Sequence, residues 1–264
     1  AAYDTAIANT LDRIGEAPQP AESIQQKTDD FPATLRLNLK LAQSLRYGEN
    51  PHQRAALYSN GSGLGVAGAK QLQGKELSYN NLVDLEACWE LAQELKPSEA
   101  DLPAVAIIKH TNPCGAATGA TVLEAYQKAL ACDPVSAFGS VIGINQTVDG
   151  PAAAEIAKLF VEAIAAPSFT PEAREAFARK KNLRLVQIKA APQRPVLKQV
   201  SGGLLMQDAD TGRITESELK VATWRPPTPE ELRSLIFAWR VCKHVKSNAI
   251  VYARHIDGFA QTVG

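Results

Sequence analysis

The sequence predicts an α/β fold in which helices cover both faces of a mostly parallel sheet. Three observations predict it: a fully apolar β-type run at 103–108, a helical stretch at 121–132, and a second apolar run at 138–144. Strand, helix and strand within about 40 residues form a βαβ unit, whose parallel strands are buried on both faces. The 264-residue chain is 45% hydrophobic, enough for one large or two modest cores.

The elements before this unit follow from hydrophobic periodicity. Residues 35–41 alternate apolar and polar side chains, which predicts a half-buried strand. A short strand near 55–58 and a glycine-rich turn at 61–68 come next. From about residue 80 a helix is expected, with one apolar face formed by Leu82, Leu85, Trp89, Ala92 and Leu95.

Two later helices have explicit start signals. Thr170 precedes Pro171, and Thr228 precedes Pro229 with a glutamate three residues after the threonine, the pattern of an N-cap followed by proline at the first helical position. The second helix is expected to run to 246–248. An apolar strand at 249–252 then predicts the start of a second strand-based unit.

Domain organisation follows from composition. Residues 1–15 have helical spacing, residues 16–33 form a polar, proline-containing linker, and residues 34–264 form the main domain. Because the chain opens without methionine and stops after an apolar run, we expect a piece of a longer polypeptide.

Composition excludes several classes of function. Twenty-eight basic residues balance 28 acidic ones, so no global field favours nucleic acid or an anionic membrane. The four cysteines are scattered without a C-x-x-C pair, which argues against disulfides and a zinc ribbon and favours a reducing compartment. No apolar run approaches the roughly 20 residues of a membrane span.

Lys109 and His110 follow the apolar run at 103–108, where an open α/β sheet binds ligands beyond its strand ends. A histidine can accept a proton near neutral pH, and a neighbouring lysine can stabilise an oxyanion. A solvated strand end and a loop-capping histidine explain the same two residues. Cys114 is either a nucleophile or a half-buried structural cysteine in a turn. The zinc deaminase signature H-x-E with P-C-x-x-C is not matched.

Other polar positions also allow two explanations. Arg46 and Tyr47 could clamp and stack on an anionic ligand, or belong to a loop tied by Asn50, His52 and Gln53. Asn81 and Asn248 each lie where a loop meets a regular element, and capping is the ordinary explanation for both. Gly139 would let a ligand approach the backbone, and Phe138 could form the wall of a ring pocket, although a core phenylalanine is the commoner outcome.

Six ordered motifs, spanning residues 34–264, carry a resemblance. They are Arg-Tyr-Gly-Glu-Asn-Pro-His-Gln at 46–53, Ser-Tyr-Asn-Asn-Leu-Val-Asp at 78–84, Lys-His-Thr-Asn-Pro-Cys-Gly at 109–115, Asp-Pro-Val-Ser-Ala-Phe-Gly at 133–139, Gly-Gly-Leu-Leu at 202–205 and Lys-Ser-Asn-Ala at 246–249. This set resembles the bifunctional purine-biosynthesis family, which joins IMP cyclohydrolase to AICAR transformylase. Residues 1–15 then resemble the last helix of the cyclohydrolase domain.

The resemblance implies roles for individual residues. His110 matches the family's proton acceptor and Lys109 its transition-state-stabilising neighbour. The positions that match nucleotide-contacting or pocket residues are Arg46, Tyr47, Asn81, Phe138, Gly139, Glu162 and Asn248.

The family's other properties follow as expectations. They are a three-layer α/β/α fold like cytidine deaminase, AICAR as nucleotide, 10-formyltetrahydrofolate as co-substrate, no zinc, a cytoplasmic homodimer, and a second half beyond residue 264 without which the chain is inactive. A monovalent cation near 242–248 is left open. The alternatives are a non-catalytic purine-nucleotide-binding domain and a zinc nucleobase deaminase.

Overall fold

A computed structural model describes residues 31–96 and 102–263. The predicted helix at 1–15 and nearly all of the predicted linker lie outside the described residues. The chain divides into two units, Ala1–Asn38 and Leu39–Gly264. The strand predicted over 35–41 is wrong for residues 35–39, which are exposed and lie outside the described strands. The partner strand ends at Ser59, opposite Lys40, so pairing begins there.

The second unit contains helices α1 (Tyr79–Glu94), α2 (Val122–Leu130), α3 (Gly150–Ile156), α4 (Pro171–Phe177) and α5 (Pro229–Cys242). Its strands are β1 (Lys40–Leu45), β2 (Ala55–Ser59), β3 (Lys70–Gln73), β4 (Ala104–Lys109), β5 (Asn112–Thr118), β6 (Ser140–Ile144), β7 (Val161–Ala166), β8 (Arg184–Gln187), β9 (Val196–Val200), β10 (Gly203–Gln207), β11 (Tyr252–Ile256) and β12 (Phe259–Val263). No helix in the described part of the chain is long and apolar enough to cross a membrane.

The central sheet is mixed and has the order β11-β12-β5-β4-β6-β7-β8-β3. The β6–β7 and β7–β8 pairs are parallel, and the other neighbours are antiparallel. Most strands nevertheless point the same way, namely β5, β6, β7, β8 and β11. The hairpins β1–β2 and β9–β10 form separate two-stranded sheets.

The βαβ unit predicted from 103–108 to 138–144 is wrong in its strand direction. β4 and β6 are antiparallel, with Val105 opposite Ile144. The reason is a tight turn after Lys109 that returns the chain at once as β5. The crossover helix α2 therefore connects β5 to β6, and the parallel units are β5-α2-β6, β6-α3-β7 and β7-α4-β8.

Helices cover both faces of the sheet, so the predicted α/β class and three-layer arrangement are confirmed. The side chains of β4 alternate between the layers: Ala106 and Ile108 join the core under α1 and α5, whereas Val105 and Ile107 join the core under α2, α3 and α4. The predicted apolar face of α1 is confirmed, since all five of its residues are buried. The likeness to cytidine deaminase stays a prediction.

Both threonine caps are confirmed. Thr170 Oγ1 accepts a hydrogen bond from Ala173 N at 3.2 Å. In the capping box of α5, Thr228 Oγ1 accepts from Glu231 N, while the Glu231 carboxylate accepts from Thr228 N at 2.8 Å. These local signals work because they satisfy amide donors that a helix start leaves free.

Two predictions for the end of α5 and the segment after it are wrong: the helix does not reach 246–248, and the next strand does not begin at 249. The helix stops at Cys242, and tight turns continue to Val245. The next strand begins only at Tyr252. The strands that follow also join the existing sheet, because Gln261 of β12 pairs with Ala117 of β5. They extend the same layer instead of opening a separate unit.

Candidate active site

Several predicted site residues lie at one edge of the sheet. The carboxyl end of β4 is level with the amino ends of β6, β7 and β8, as the pairs Ile108 with Val141, Ser140 with Val161, and Ala163 with Arg184 show. We expected Lys109 and His110 at the carboxyl ends of parallel strands. They are at the carboxyl end of β4 but at the amino ends of its neighbours, because β4 runs antiparallel to β6.

His110 and Thr111 form the two-residue turn between β4 and β5, not the opening of a long loop. Both have left-handed backbones, with φ of 53° and 63°. Left-handed φ at both central positions is the requirement of a type I′ hairpin, which asparagine and glycine usually meet. A β-branched threonine there is strained, and such strain concentrates at functional sites. The turn leaves the His110 side chain exposed.

Polar contacts hold this turn. Thr111 N donates to the Asp84 carboxylate of α1 at 2.7 Å. Asn112 Nδ2 donates to His110 O at 3.4 Å, and Asn112 Oδ1 accepts from Lys246 N at 3.4 Å. The hairpin is thereby tied both to α1 and to the segment that leads to Asn248.

Burial raises the pKa of Asp84, against the opposing effects of its bond from Thr111 and the nearby charge of His110. The folded state therefore binds this proton more tightly than the unfolded chain does. Its contribution to stability is present below the unfolded pKa and is lost as the pH rises through the folded pKa. At neutral pH, desolvation of this half-buried carboxylate therefore opposes the stability gained from its bond to Thr111.

Lys109 is connected to an aromatic pair. Its Nζ donates to Phe138 O at 3.0 Å. The Phe138 ring is 59% exposed and lies 5.2 Å from the Phe160 ring, centroid to centroid, so the expectation of a core phenylalanine is wrong. Gly139 follows with φ of 76° and donates its N–H to Phe160 O at 2.8 Å. Its left-handed backbone explains the glycine.

A cavity of about 440 Å³ opens at this edge, lined by Arg46, Lys75, Glu76, Leu77, Ser78, Phe160, Val161, Glu162, Asn182 and Arg184. A larger, mainly apolar cavity of about 820 Å³ runs along α5 and contains none of the predicted site residues. The smaller cavity contains charged residues of both signs and lies at the sheet edge of Lys109, and we take it as the candidate site.

Arg46 and Tyr47 lie where β1 ends. The Arg46 guanidinium stacks over the Tyr47 ring at 4.6 Å and donates to its hydroxyl at 2.8 Å. The alternative explanation of a self-tied loop also holds in part, since Gln53 Oε1 accepts from Asn50 N at 2.7 Å. The loop is thus ordered by its own bonds while Arg46 faces the cavity.

Glu162 lies in the cavity in an ion pair that the sequence did not indicate. Its carboxylate accepts from Arg184 Nη1, and Arg184 Nε donates to Glu76 O at 3.2 Å. The Arg184 side chain is only 12% exposed. Arg184 had no motif around it, and only the pairing of β7 with β8 places it beside Glu162.

The two asparagines differ in their local roles. Asn81 is a buried capping residue, whose Oδ1 accepts from Ser78 N at 3.1 Å and whose N donates back to Ser78 Oγ. Asn248 does not cap α5, whose C-cap is Lys243. It is exposed and accepts from Ser247 Oγ at 3.2 Å. Nucleotide contacts by either residue stay predictions.

Cys114 is half-buried within β5, not in a turn. Burial raises the pKa of its thiol, with Asp133 adding to the shift and Lys109 opposing it. A raised pKa disfavours the thiolate that a nucleophile requires. The structural role of Cys114 is thereby favoured over the nucleophilic one.

The sequence matches a known protein family over its whole length. The model of the AICARFT/IMPCHase bienzyme family matches residues 1–264. The chain belongs to this family. Among curated relatives, the Bifunctional purine biosynthesis protein PurH of Paracoccus denitrificans is 50% identical over 97% of this chain and 47% of its own length. Proteins of the same name from Parvibaculum lavamentivorans and Rhizobium etli are 50% and 51% identical, over 46% and 47% of their lengths. The chain spans about half the length of these family members.

Proposed function

We propose that this chain carries the nucleotide-binding and proton-accepting part of an AICAR formyltransferase, in a polypeptide as long as its relatives. The observation that carries the proposal is the strained His110 turn at the same sheet edge as a charged cavity, in a member of this family. Residues 1–15 would end a cyclohydrolase domain, and residues 34–264 would begin the transformylase domain. The parent protein would then also catalyse IMP cyclisation.

His110 is the proposed base. The 5-amino group of AICAR is a poor nucleophile, because its lone pair is delocalised through the imidazole into the carboxamide. It attacks the formyl carbon of 10-formyltetrahydrofolate as His110 removes a proton, directly or through the carboxamide. The exposed imidazole at a rigid turn is suited to such a transfer.

Lys109 is the proposed stabiliser of the tetrahedral oxyanion. Its ammonium group is already held by Phe138 O, at the same sheet edge as the cavity. A cation fixed in advance needs no reorganisation when charge develops. As the oxyanion collapses, the C–N10 bond breaks and N10 takes up the proton that His110 removed, so that tetrahydrofolate leaves and the formyl group stays on the nucleotide.

The cavity is the proposed nucleotide site. Arg46 supplies a cation for the phosphate, and Tyr47 and Phe138 offer rings for stacking. Glu162 can accept hydrogen bonds from ribose hydroxyls, while Gly139 lets the ligand approach the backbone. Asn81 and Asn248 belong to the same proposed set. Folate contacts, homodimerisation and a cytoplasmic location are proposed for the longer polypeptide.

Formyl transfer to AICAR by a polypeptide of the relatives' length tests the function directly. We expect turnover with 10-formyltetrahydrofolate, and no turnover by residues 1–264 alone. Nucleotide binding without any formyl transfer by the longer protein would favour a non-catalytic binding domain. Turnover by the isolated chain would contradict the proposal that the site needs further residues.

Arg184→Met is expected to weaken nucleotide binding. Its removal leaves the Glu162 carboxylate without its cation. We expect the KM for AICAR to rise about tenfold. This is at the low end for the loss of a hydrogen bond to a charged group, because Glu162 is partly exposed and water screens its charge. Steady-state kinetics should show kcat changed much less. Arg179→Met, on an exposed arginine after α4, is the matched control. An equal rise of KM in both variants would contradict the role of Arg184.

A further inference from the structure

We propose that Asp84 is a positioning residue that fixes the His110–Thr111 turn in its left-handed conformation and thereby aims the His110 imidazole. The proposal rests on the proposed function of His110. Asp84 is the last residue of the motif at 78–84, but the resemblance to the family gives it no role.

The turn needs an external support. In a two-residue hairpin the cross-strand bonds are made by the flanking residues, here Lys109 and Asn112. The N–H of the second turn residue is left to find another partner. For Thr111 that partner is the Asp84 carboxylate, at 2.7 Å. A charge-assisted bond of this kind is stronger than a neutral one and can offset the strain of a threonine with φ of 63°.

The support is itself rigid. Asp84 precedes Leu85 on α1, and Leu85 is fully buried in the core between the helix and the sheet. The start of α1 is fixed by the Ser78–Asn81 capping box. Asp84 therefore ties the turn to a helix that is anchored in the core, as the support of a catalytic group requires.

The surroundings of Asp84 favour a function in orientation. Lys246, and His110 when it is protonated, place positive charge near its carboxylate, and the thiols of Cys88 on α1 and Cys114 on β5 are also close to it. The carboxylate is nevertheless costly to bury at neutral pH. A half-buried carboxylate bonded to the strained turn is suited to placing His110.

Three variants in the polypeptide of the relatives' length test the proposal. Asp84→Ala is expected to lower kcat about 10- to 100-fold with the KM for AICAR almost unchanged, because small misplacement of a catalytic group lowers rate strongly. Asp84→Asn keeps an acceptor oxygen for Thr111 N–H and should recover part of kcat. Its melting temperature at neutral pH should equal or exceed that of the wild type. Glu175→Ala removes an exposed carboxylate from α4, away from the turn, and should change nothing.

Thr111→Gly supplies a second, sharper test. Glycine adopts positive φ without strain, so adding it to Asp84→Ala should restore part of kcat. An unchanged kcat in Asp84→Ala would overturn the positioning role, and so would a lowered kcat that Thr111→Gly does not rescue. The role would also be overturned if Asp84→Ala and Asp84→Asn lost kcat equally and the melting temperature of both fell with it.

Hydrogen exchange separates this proposal from the function on which it rests. In protein labelled with ¹⁵N-threonine, the Thr111 amide should exchange at least about tenfold faster in Asp84→Ala than in the wild type. Unchanged exchange would show that the contact does not hold the turn. Absence of formyl transfer by the wild type would instead overturn the proposed function, whatever the exchange result.

Discussion

Replacing His110 with alanine is expected to lower formyl transfer about 10²- to 10⁴-fold, the contribution of a positioned acid or base. The imidazole is exposed at the turn, and no hydrogen bond of its ring to another described residue supports the fold. Its loss should therefore leave folding and the nucleotide cavity intact. Single-turnover kinetics and AICAR binding by calorimetry measure the two effects separately.

The control for this variant is His255→Ala. His255 lies on β11 at the far end of the sheet and its Nδ1 bonds to Ser234 Oγ at 2.9 Å. Formyl transfer by this variant should stay near that of the wild type. A loss of AICAR affinity as large as the loss of rate in His110→Ala would contradict a catalytic role and indicate a binding one.

Gly143→Ala is expected to destabilise the fold more than any surface change. A Cβ on Gly143 of β6 would lie 2.2 Å from the carbonyl oxygen of Cys88 and 2.5 Å from its carbon. These are backbone atoms of α1, so no side chain can rotate away. α1 must move off the sheet, and overpacking of this kind costs about 1–3 kcal/mol or more. Urea unfolding followed by circular dichroism measures the change in free energy.

Gly203→Ala is the matched control. Gly203 has an ordinary backbone, and a Cβ there would meet nothing within 4 Å. Its free energy of unfolding should change by less than about 0.5 kcal/mol, as is usual for an unconstrained surface site. Equal stability of the two variants would mean that α1 does not pack on β6 as closely as described.

Local features of the fold could be predicted from the sequence, but the sheet could not. The caps at Thr170 and Thr228 and the face of α1 depend on residues that are close together in the sequence, and they are confirmed. The direction of β4 relative to β6 depends instead on a tight turn at His110 and Thr111. Neither residue is a usual type I′ residue, so the hairpin had no sequence signal.

The candidate site shows the same division. Lys109, His110 and Arg46 stand in motifs whose order identifies the family, and the structure places Lys109 and Arg46 along one sheet edge with Glu162. Arg184 could not be found in this way. It reaches Glu162 through the pairing of two strands, which a single sequence does not reveal. Asp84 was within a motif, but its partner Thr111 becomes its neighbour only through the fold.

The edge strand β3 has a consequence for biosynthesis. It pairs with β8, so that Lys70 lies opposite Gln187, and Gln73 Nε2 donates to Phe177 O at 3.0 Å. During synthesis on the ribosome, β3 emerges long before its partner and stays unpaired until β8 follows. Such a distant pairing is slow to form. The side of the cavity that contains Lys75 and Arg184 therefore forms late, after the Lys109–His110 hairpin has had time to form. Mutations that weaken β8 should leave β3 of the nascent chain unpaired for longer and so favour chaperone binding or aggregation.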